Sequence, residues 1–330
     1  MRRTGLMLNR RQLIASAGLI GAGTLLGTRH AAAAGFPERD ITFMIPYPPG
    51  GAYDEYVRAI AQPMAKALPS KVSVVPDNVA GAGGARAANI LYRAKPDGYT
   101  ISVLNAVGLL LLKLKGGTIG FNINELTWIG NLARDQYALV VAEKSKIRSI
   151  ADLQKMSRAR PVKFIAPGPQ TTSYAATLIG THLLDIRKEV ITGYRGASAS
   201  LVAVMRGDGD AAILTLPAVS QMVAGKLIRV VATFEKTSSI KGAEDATTLN
   251  KPDLAQIIEL RPVAGPAHLA PDVTATLSAA LIKAMHDPGV TGWAQKAGAT
   301  LDPLSAEETT RLMHEQSAFI KRWAGLLSQT

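Results

Sequence analysis

The sequence predicts an α/β fold built as two similar blocks, and three observations lead there. Short β-prone runs alternate with stretches of helical apolar spacing along most of the chain, the pattern of parallel βαβ units. Alanine and glycine are plentiful while aromatic residues make up only 5%, a composition suited to helices packed closely on sheets. The length of 330 residues exceeds what one core usually fills, since single cores stop growing near roughly 250–300 residues.

The first block opens with the β-prone run Ile41–Ile45, which ends at a proline. Glu55–Leu68 follows with Val57, Ile60, Ala61, Met64 and Leu68 at helical spacing, interrupted by Pro63, which removes one backbone bond. Val72–Val75 is a strand, Gly84–Ala94 a helix and Thr100–Leu104 a third strand. A second block begins with the strand Tyr137–Val141, then a short helix Ile150–Met156 and a strand Val162–Ala166. A helix Ser173–Leu184, a strand Glu189–Thr192, a helix Ser198–Met205 and strands Ala211–Leu214 and Ile228–Phe234 complete it. The polar stretch Glu235–Lys251 reads as loop, and Ile257–Val263 returns to the first block as a strand. Helices Asp272–His286, Gly289–Ala297 and Ser305–Leu327 close the chain and are expected on the first block, with Asp272 and Ser305 as N-caps. Expected boundaries are 1–34 for an export segment, 35–135 and 235–330 for one lobe, and 136–234 for the other.

The N-terminus carries that export segment. Arg2, Arg3, Arg10 and Arg11 precede the apolar run Leu13–Gly27, and the small residues Ala31–Ala34 supply a cleavage site near Ala34. The run is about 15 residues, short of the roughly 20 that span a bilayer. Asn9-Arg10-Arg11-Gln12-Leu13-Ile14 is similar to a twin-arginine signal, and an ordinary secretory signal fits the same residues. Without residues 1–34, which hold five arginines and no acid, the net charge of +12 falls to +7 and is dispersed. Nothing in it forms a basic arm or a nucleic-acid surface; such a charge keeps a protein in solution, and it also draws small anions to a cleft. The absence of cysteine excludes thiolate metal sites and cysteine nucleophiles, and it suits an oxidising compartment.

Four glycine-bearing segments precede helical patterns: Tyr47–Asp54, Gly81–Gly84, Pro167–Ser173 and Tyr194–Ser198. Each can turn backbone N–H groups toward an anion, and each also serves as an ordinary βα turn. Asp54 fits an N-cap as well as a group that orients water or accepts from a ligand amine. Thr171, Thr172 and Ser173 either cap a helix or donate hydroxyls to a carboxylate. Arg195 suits a bidentate ion pair and equally a solvated surface. Gly81–Gly84 lacks dinucleotide-fingerprint spacing, no phosphate loop with GKS or GKT occurs, and the histidines show no metal spacing. No constellation is catalytic, and no cofactor or metal is implied.

In combination and order, further motifs carry a resemblance: Pro46–Gly51 with Asp54, Asp77–Gly84, Lys95–Thr100, Tyr194–Gly196, Gly207–Ala212 and Asp287–Gly289. The chain resembles the extracytoplasmic solute-binding proteins of tripartite tricarboxylate transporters, the Bug receptors. The resemblance implies a two-lobed Venus-flytrap fold, a small carboxylate ligand in the interlobe cleft, a membrane permease as partner and a monomeric state. It implies ligand contacts in the loops Tyr47–Asp54 and Gly168–Ser173, and the full set of candidate contacts is Tyr47, Pro48, Gly50, Gly51, Tyr53, Asp54, Gly83, Asn105, Gly168, Thr171, Thr172, Ser173, Arg195 and Gly196. Departures fall in these loops: Tyr53 replaces a small hydroxyl residue, Pro169–Tyr174 replaces a glycine- and serine-rich stretch, and Asn105–Leu110 is unusually apolar. Tyr53, Tyr174 and Leu109 then suit a carboxylate with an apolar or aromatic body. An exported hydrolase on the same architecture and a ligand-loaded sensor of a membrane partner are the competing expectations.

Overall fold

The computed structural model describes residues 35–328 apart from 115, 118 and 170, so the expected export segment lies outside the described residues. The elements below belong to one compact unit that begins at Pro37. It begins with β1 (Ile41–Ile45), α1 (Ala52–Ala67), β2 (Val74–Asn78), α2 (Ala85–Arg93), β3 (Thr100–Val103) and α3 (Ala106–Leu114). Next come β4 (Thr127–Ala142), α4 (Ile150–Ala159), β5 (Val162–Ile165), α5 (Thr172–Leu183), β6 (Lys188–Ile191), α6 (Gly196–Arg206), β7 (Ala211–Thr215), α7 (Leu216–Ala224) and β8 (Ile228–Thr233). The chain returns through β9 (Ile258–Gly265) and ends in α8 (Pro271–Met285), α9 (Pro288–Ala297), α10 (Ala306–Arg322) and α11 (Ala324–Ser328).

Two parallel sets of strands share one long strand. β1 pairs with β2 and β3 in parallel, while β5 pairs in parallel with β6 and β7. β4 joins them: residues 127–136 pair with antiparallel β9, and residues 137–142 pair with antiparallel β7 and β8. The sixteen residues of β4 therefore cross from one sheet to the other near Tyr137. Because β9 runs antiparallel to both β3 and β4, the carboxyl ends of β1 and β3 point toward that crossing. β7 meets β4 with Thr215, its last residue, opposite Tyr137, so the second set aims its carboxyl ends at the same place.

The sequence expectation missed three elements. Residues 127–136 join β4 although Gly130, Asn131, Arg134 and Asp135 break the apolar run, because two irregularities in the β9 register absorb them. α3 is apolar on almost every side, so it lacks the one-sided period that marks a surface helix. α7 starts directly where β7 stops, with a proline in its first turn, leaving no loop to announce it. Two end signals also differ. Ala270, not Asp272, precedes α8, and the last predicted helix divides at Trp323. Ser305 caps α10 as expected, in a reciprocal box with Glu308.

One core packs Met44, Leu91, Leu104, Leu109, Trp128, Leu260 and Met313 beneath the first sheet. Another packs Val140, Ile165, Leu201, Leu214 and Val230 beneath α6 and α7. A third joins Val107 and Leu111 of α3 to Phe164 of β5, Ile179 of α5 and Phe234 just after β8, and adds Phe319 and Leu327 from the C-terminal helices. Those helices reach beyond the first block: Trp323 lies edge-on to His182 of α5, with ring centroids 5.4 Å apart.

Candidate ligand-binding site

The loop after β1 is held in shape by Asp54. Gly51 precedes α1 without a side-chain cap, so Asp54 is the third helical residue rather than the expected N-cap. Its buried carboxylate accepts the Gly50 N–H (2.9 Å), Asn78 Nδ2 (2.9 Å) and Arg58 Nε (2.8 Å). Burial works against its charge, yet the bonds from Gly50, Asn78 and Arg58 outweigh it and hold the pKa below the ordinary carboxylate range. Asp54 thus folds the loop back on itself, and its acceptor capacity is used within the protein. Gly50 bends at φ +83° with open space where a side chain would stand, and Pro48 beside it is exposed.

Three neighbouring segments converge on the same loop. A Cβ at Gly84 would lie 3.4 Å from Pro46 and 3.8 Å from the Tyr47 hydroxyl, so the turn containing Gly83 packs directly on it. Asn105 donates to the Tyr47 hydroxyl (3.0 Å) and accepts the Gly108 N–H (2.9 Å), capping α3 while orienting the phenol. Tyr47 and Tyr53 pack with ring centroids 4.9 Å apart. Leu109 is fully buried in the first core and Tyr174 is buried in the core beneath α5, so the apolar lining expected from them goes into packing.

From the second sheet, the N-terminus of α5 supplies the opposing wall. Thr171 caps that helix through Tyr174 N (3.2 Å) and donates to Gly168 O (2.7 Å), which is the capping alternative. Thr172 takes the other alternative: its hydroxyl donates to a carboxylate, but that carboxylate is Glu259 of β9 (3.0 Å). The Tyr137 hydroxyl also donates to Glu259 (3.2 Å), and Ser173 follows Thr172 in the first turn of α5. Arg195 and Gly196 stand exposed at the N-terminus of α6, which no side chain caps. Contacts among the described residues do not tie them to this cluster.

The floor beneath is charged. Asp135 and Glu259 face each other across β4 and β9, and Arg261 lies two residues on, on the same face as Glu259. Arg261 binds Asp135 at 2.6 Å and approaches Glu259 at 3.6 Å. The rings of Tyr53 and Tyr56 stack over it, and Thr300 donates to Asp135. Burial first, and then the Glu259 charge, push the Tyr53 and Tyr137 phenols well above their ordinary pKa. Tyr47 rises as well, mainly through burial, so all three phenols are neutral at physiological pH. None of Tyr137, Glu259 and Arg261 was singled out from sequence. The signal was there: Glu259 and Arg261 are charged residues two apart in an otherwise apolar strand, which places both on one face.

Two grooves lie nearby, the second bordering the floor at Thr300. One of about 300 Å³ runs between α3 and α10, and one of about 550 Å³ lies between α7 and Arg134 and Gln136. Both linings are largely apolar, and neither includes the first residues of α1 or α5. Among the described residues no group of side chains could hold a metal ion, and no helix is long and apolar enough to cross a membrane.

Two α/β sheets whose strand ends and helix N-termini meet on a shared floor define a two-lobed solute-binding fold. The chain belongs to the tripartite tricarboxylate transporter family of receptors, whose TctC pattern matches residues 56–329. It is 24% identical over 311 residues to protein BugT of Bordetella pertussis, covering 89% of this chain and 90% of that one. A UPF0065 protein of Pseudomonas sp. strain P51 is 29% identical over 227 residues, 68% of this chain and 66% of that protein. A TctC solute-binding protein from Polaromonas superposes with a TM-score of 0.76 at 20% identity, covering 90% of this chain and all of that one. MatC from Rhodopseudomonas palustris with bound malate, and an R. palustris protein with adipate, each give 0.70 at 20% identity. They cover 88% and 89% of this chain, and 100% and 98% of their own.

Proposed function

We propose that this protein is the extracytoplasmic receptor of a tripartite tricarboxylate-type uptake system and captures a small carboxylate between its lobes. The carrying observation is the meeting of the uncapped N-terminus of α1 with the N-terminus of α5 over one polar floor. Helix N-termini present free N–H groups and a partial positive charge, which suits a carboxylate. The malate and adipate held by its structural relatives support that ligand class. The Tyr47–Tyr53 pair offers an aromatic wall to an apolar body. One lobe comprises residues 35–135 and 235–330, the other 136–234, and the connections through β4 and the 234–257 stretch act as hinges. After removal of residues 1–34 the protein works in the periplasm as a monomer without catalysing a reaction, and it passes its ligand to membrane permease subunits.

Isothermal titration with aromatic monoacids, dicarboxylates and citrate tests this reading. The expected result is saturable binding of at least one acid with one site per chain. Thermal melting should then rise with ligand as mass action requires. Binding of citrate alone removes the apolar-body assignment, and heat-silent titrations with no melting shift remove the receptor reading.

A further inference from the structure

The floor of the site carries a charge that a simple carboxylate would not welcome. Asp135 and Glu259 stand directly opposite each other, a like-charge pairing that is destabilising unless a cation intervenes. Arg261 is that cation, but it is committed mainly to one side, with 2.6 Å to Asp135 Oδ2 against 3.6 Å to Glu259 Oε1. Two carboxylates share one guanidinium, so the trio has one net negative charge. Side-chain exposure is greatest at the glutamate: 2% for Asp135, 8% for Arg261 and 15% for Glu259. The Tyr53 and Tyr56 rings cover the guanidinium at 5.4 and 4.9 Å, so the glutamate is the more open charge of the trio.

The two oxygens of Glu259 are unequally used. Oε2 receives the Thr172 and Tyr137 hydroxyls, whereas Oε1 has only the long contact to Arg261. Nearby, the Tyr53 hydroxyl is buried without a hydrogen-bond partner among the described residues, although the residue is only 8% exposed. A buried hydroxyl left unpaired carries a free-energy cost. Lobe closure would strip water from Glu259 too, and a half-paired carboxylate in a dry cleft is costly. A ligand group that donates to both oxygens and carries positive charge removes both costs. A hydroxyl can donate, but it leaves the charge uncompensated.

We infer that Glu259 and Tyr53 form a specificity subsite for a protonated amine, so that the preferred ligand is a zwitterion. Its carboxylate meets the helix N-termini and its ammonium meets Glu259 Oε1 and the Tyr53 oxygen. The inference rests on the carboxylate-receptor reading above and names the ligand class for that same site.

The test is titration calorimetry on the mature chain with two matched series. These are succinate, malate and aspartate, and 3-phenylpropionate, 3-phenyllactate and phenylalanine. In at least one series the amino acid should bind at least tenfold more tightly than its unsubstituted parent and more tightly than the hydroxy acid. Glu259→Gln keeps an oxygen for Thr172 and Tyr137 and should collapse that ratio toward one. Tyr53→Phe, which removes only a hydroxyl, should weaken the amino acid severalfold and spare the parent acid. Should Glu259→Gln not fold, the Tyr53→Phe ratio and the wild-type series decide. Parent or hydroxy acids binding as tightly as the amino acids, or a discrimination that survives both substitutions, overturn the subsite while leaving the carboxylate receptor standing. Absence of binding by every acid tested here and in the wider panel overturns the receptor reading together with it.

Discussion

Asp54 and Arg261 are the residues on which the site's shape depends most directly. Replacing Asp54 with alanine leaves the Gly50 N–H and one hydrogen of the Asn78 amide, whose other donates to Tyr47 O, without their acceptor, at a cost of about 1–3 kcal/mol. Ligand affinity should fall more than the melting temperature suggests, because the loop loses its fold while the helix persists; calorimetry beside thermal melting separates the two. The folded pKa of Asp54 lies below its ordinary value of 3.8. Its contribution is therefore fully present above that value and is lost as pH falls through the folded pKa. The stability gap between wild type and Asp54→Asn in urea melts should be constant from neutral pH to about pH 5 and shrink below 3.8. Arg261→Met removes the cation between Asp135 and Glu259 and should cost about 3–5 kcal/mol, read as a lower urea midpoint. At this scale the sequence revealed Asp54 as a helix-start residue but not its partners, since Arg58 is local while Asn78 is 24 residues away.

Among the elements, β4 bears the heaviest structural demand. It must change sheets within sixteen residues, and Gly130 sits where its register with β9 shifts. A Cβ there would meet Leu281 Cδ2 at 2.8 Å and the Leu304 carbonyl at 2.9 Å. Gly130→Ala should lower stability by about 1–3 kcal/mol through forced retreat of α8 and the 304 loop, with ligand affinity changed little; parallel melting and titration check it. The first half of β4 was illegible from sequence for the same reason that it is useful. A strand that bends and carries Asn131, Arg134 and Asp135 into tertiary contacts does not alternate cleanly. α5, in contrast, was legible almost to its ends, since Thr171 caps it and a long small-residue face follows.

For the whole molecule, the two sheets communicate through few covalent routes, β4 and the long connection from β8 to β9. Ligand that contacts loops of both sheets should draw them together as a hinge motion. Small-angle scattering should show a smaller radius of gyration on saturation with ligand, and the decrease should vanish in Asp54→Ala at the same ligand concentration. The third core, which ties α3 to α5 and to the C-terminal helices, packs one side of the junction.

The sequence by itself determined the α/β class, most strands and helices, the glycine-bearing turns at helix starts and the kinship with transporter receptors. Each of these is written in local spacing: apolar period, proline and glycine placement, and short motifs in a fixed order. Only the tertiary structure decided what lies at the bottom of the site. Tyr53, Tyr137, Thr172, Glu259 and Arg261 are separated by up to about two hundred residues of chain and meet because β4 pairs with β9 and the first turns of α1 and α5 pack over that pairing. Burial then gives them their meaning, since a glutamate on a solvated strand is unremarked, while one that shares Arg261 with a buried aspartate puts charge beneath the helix starts.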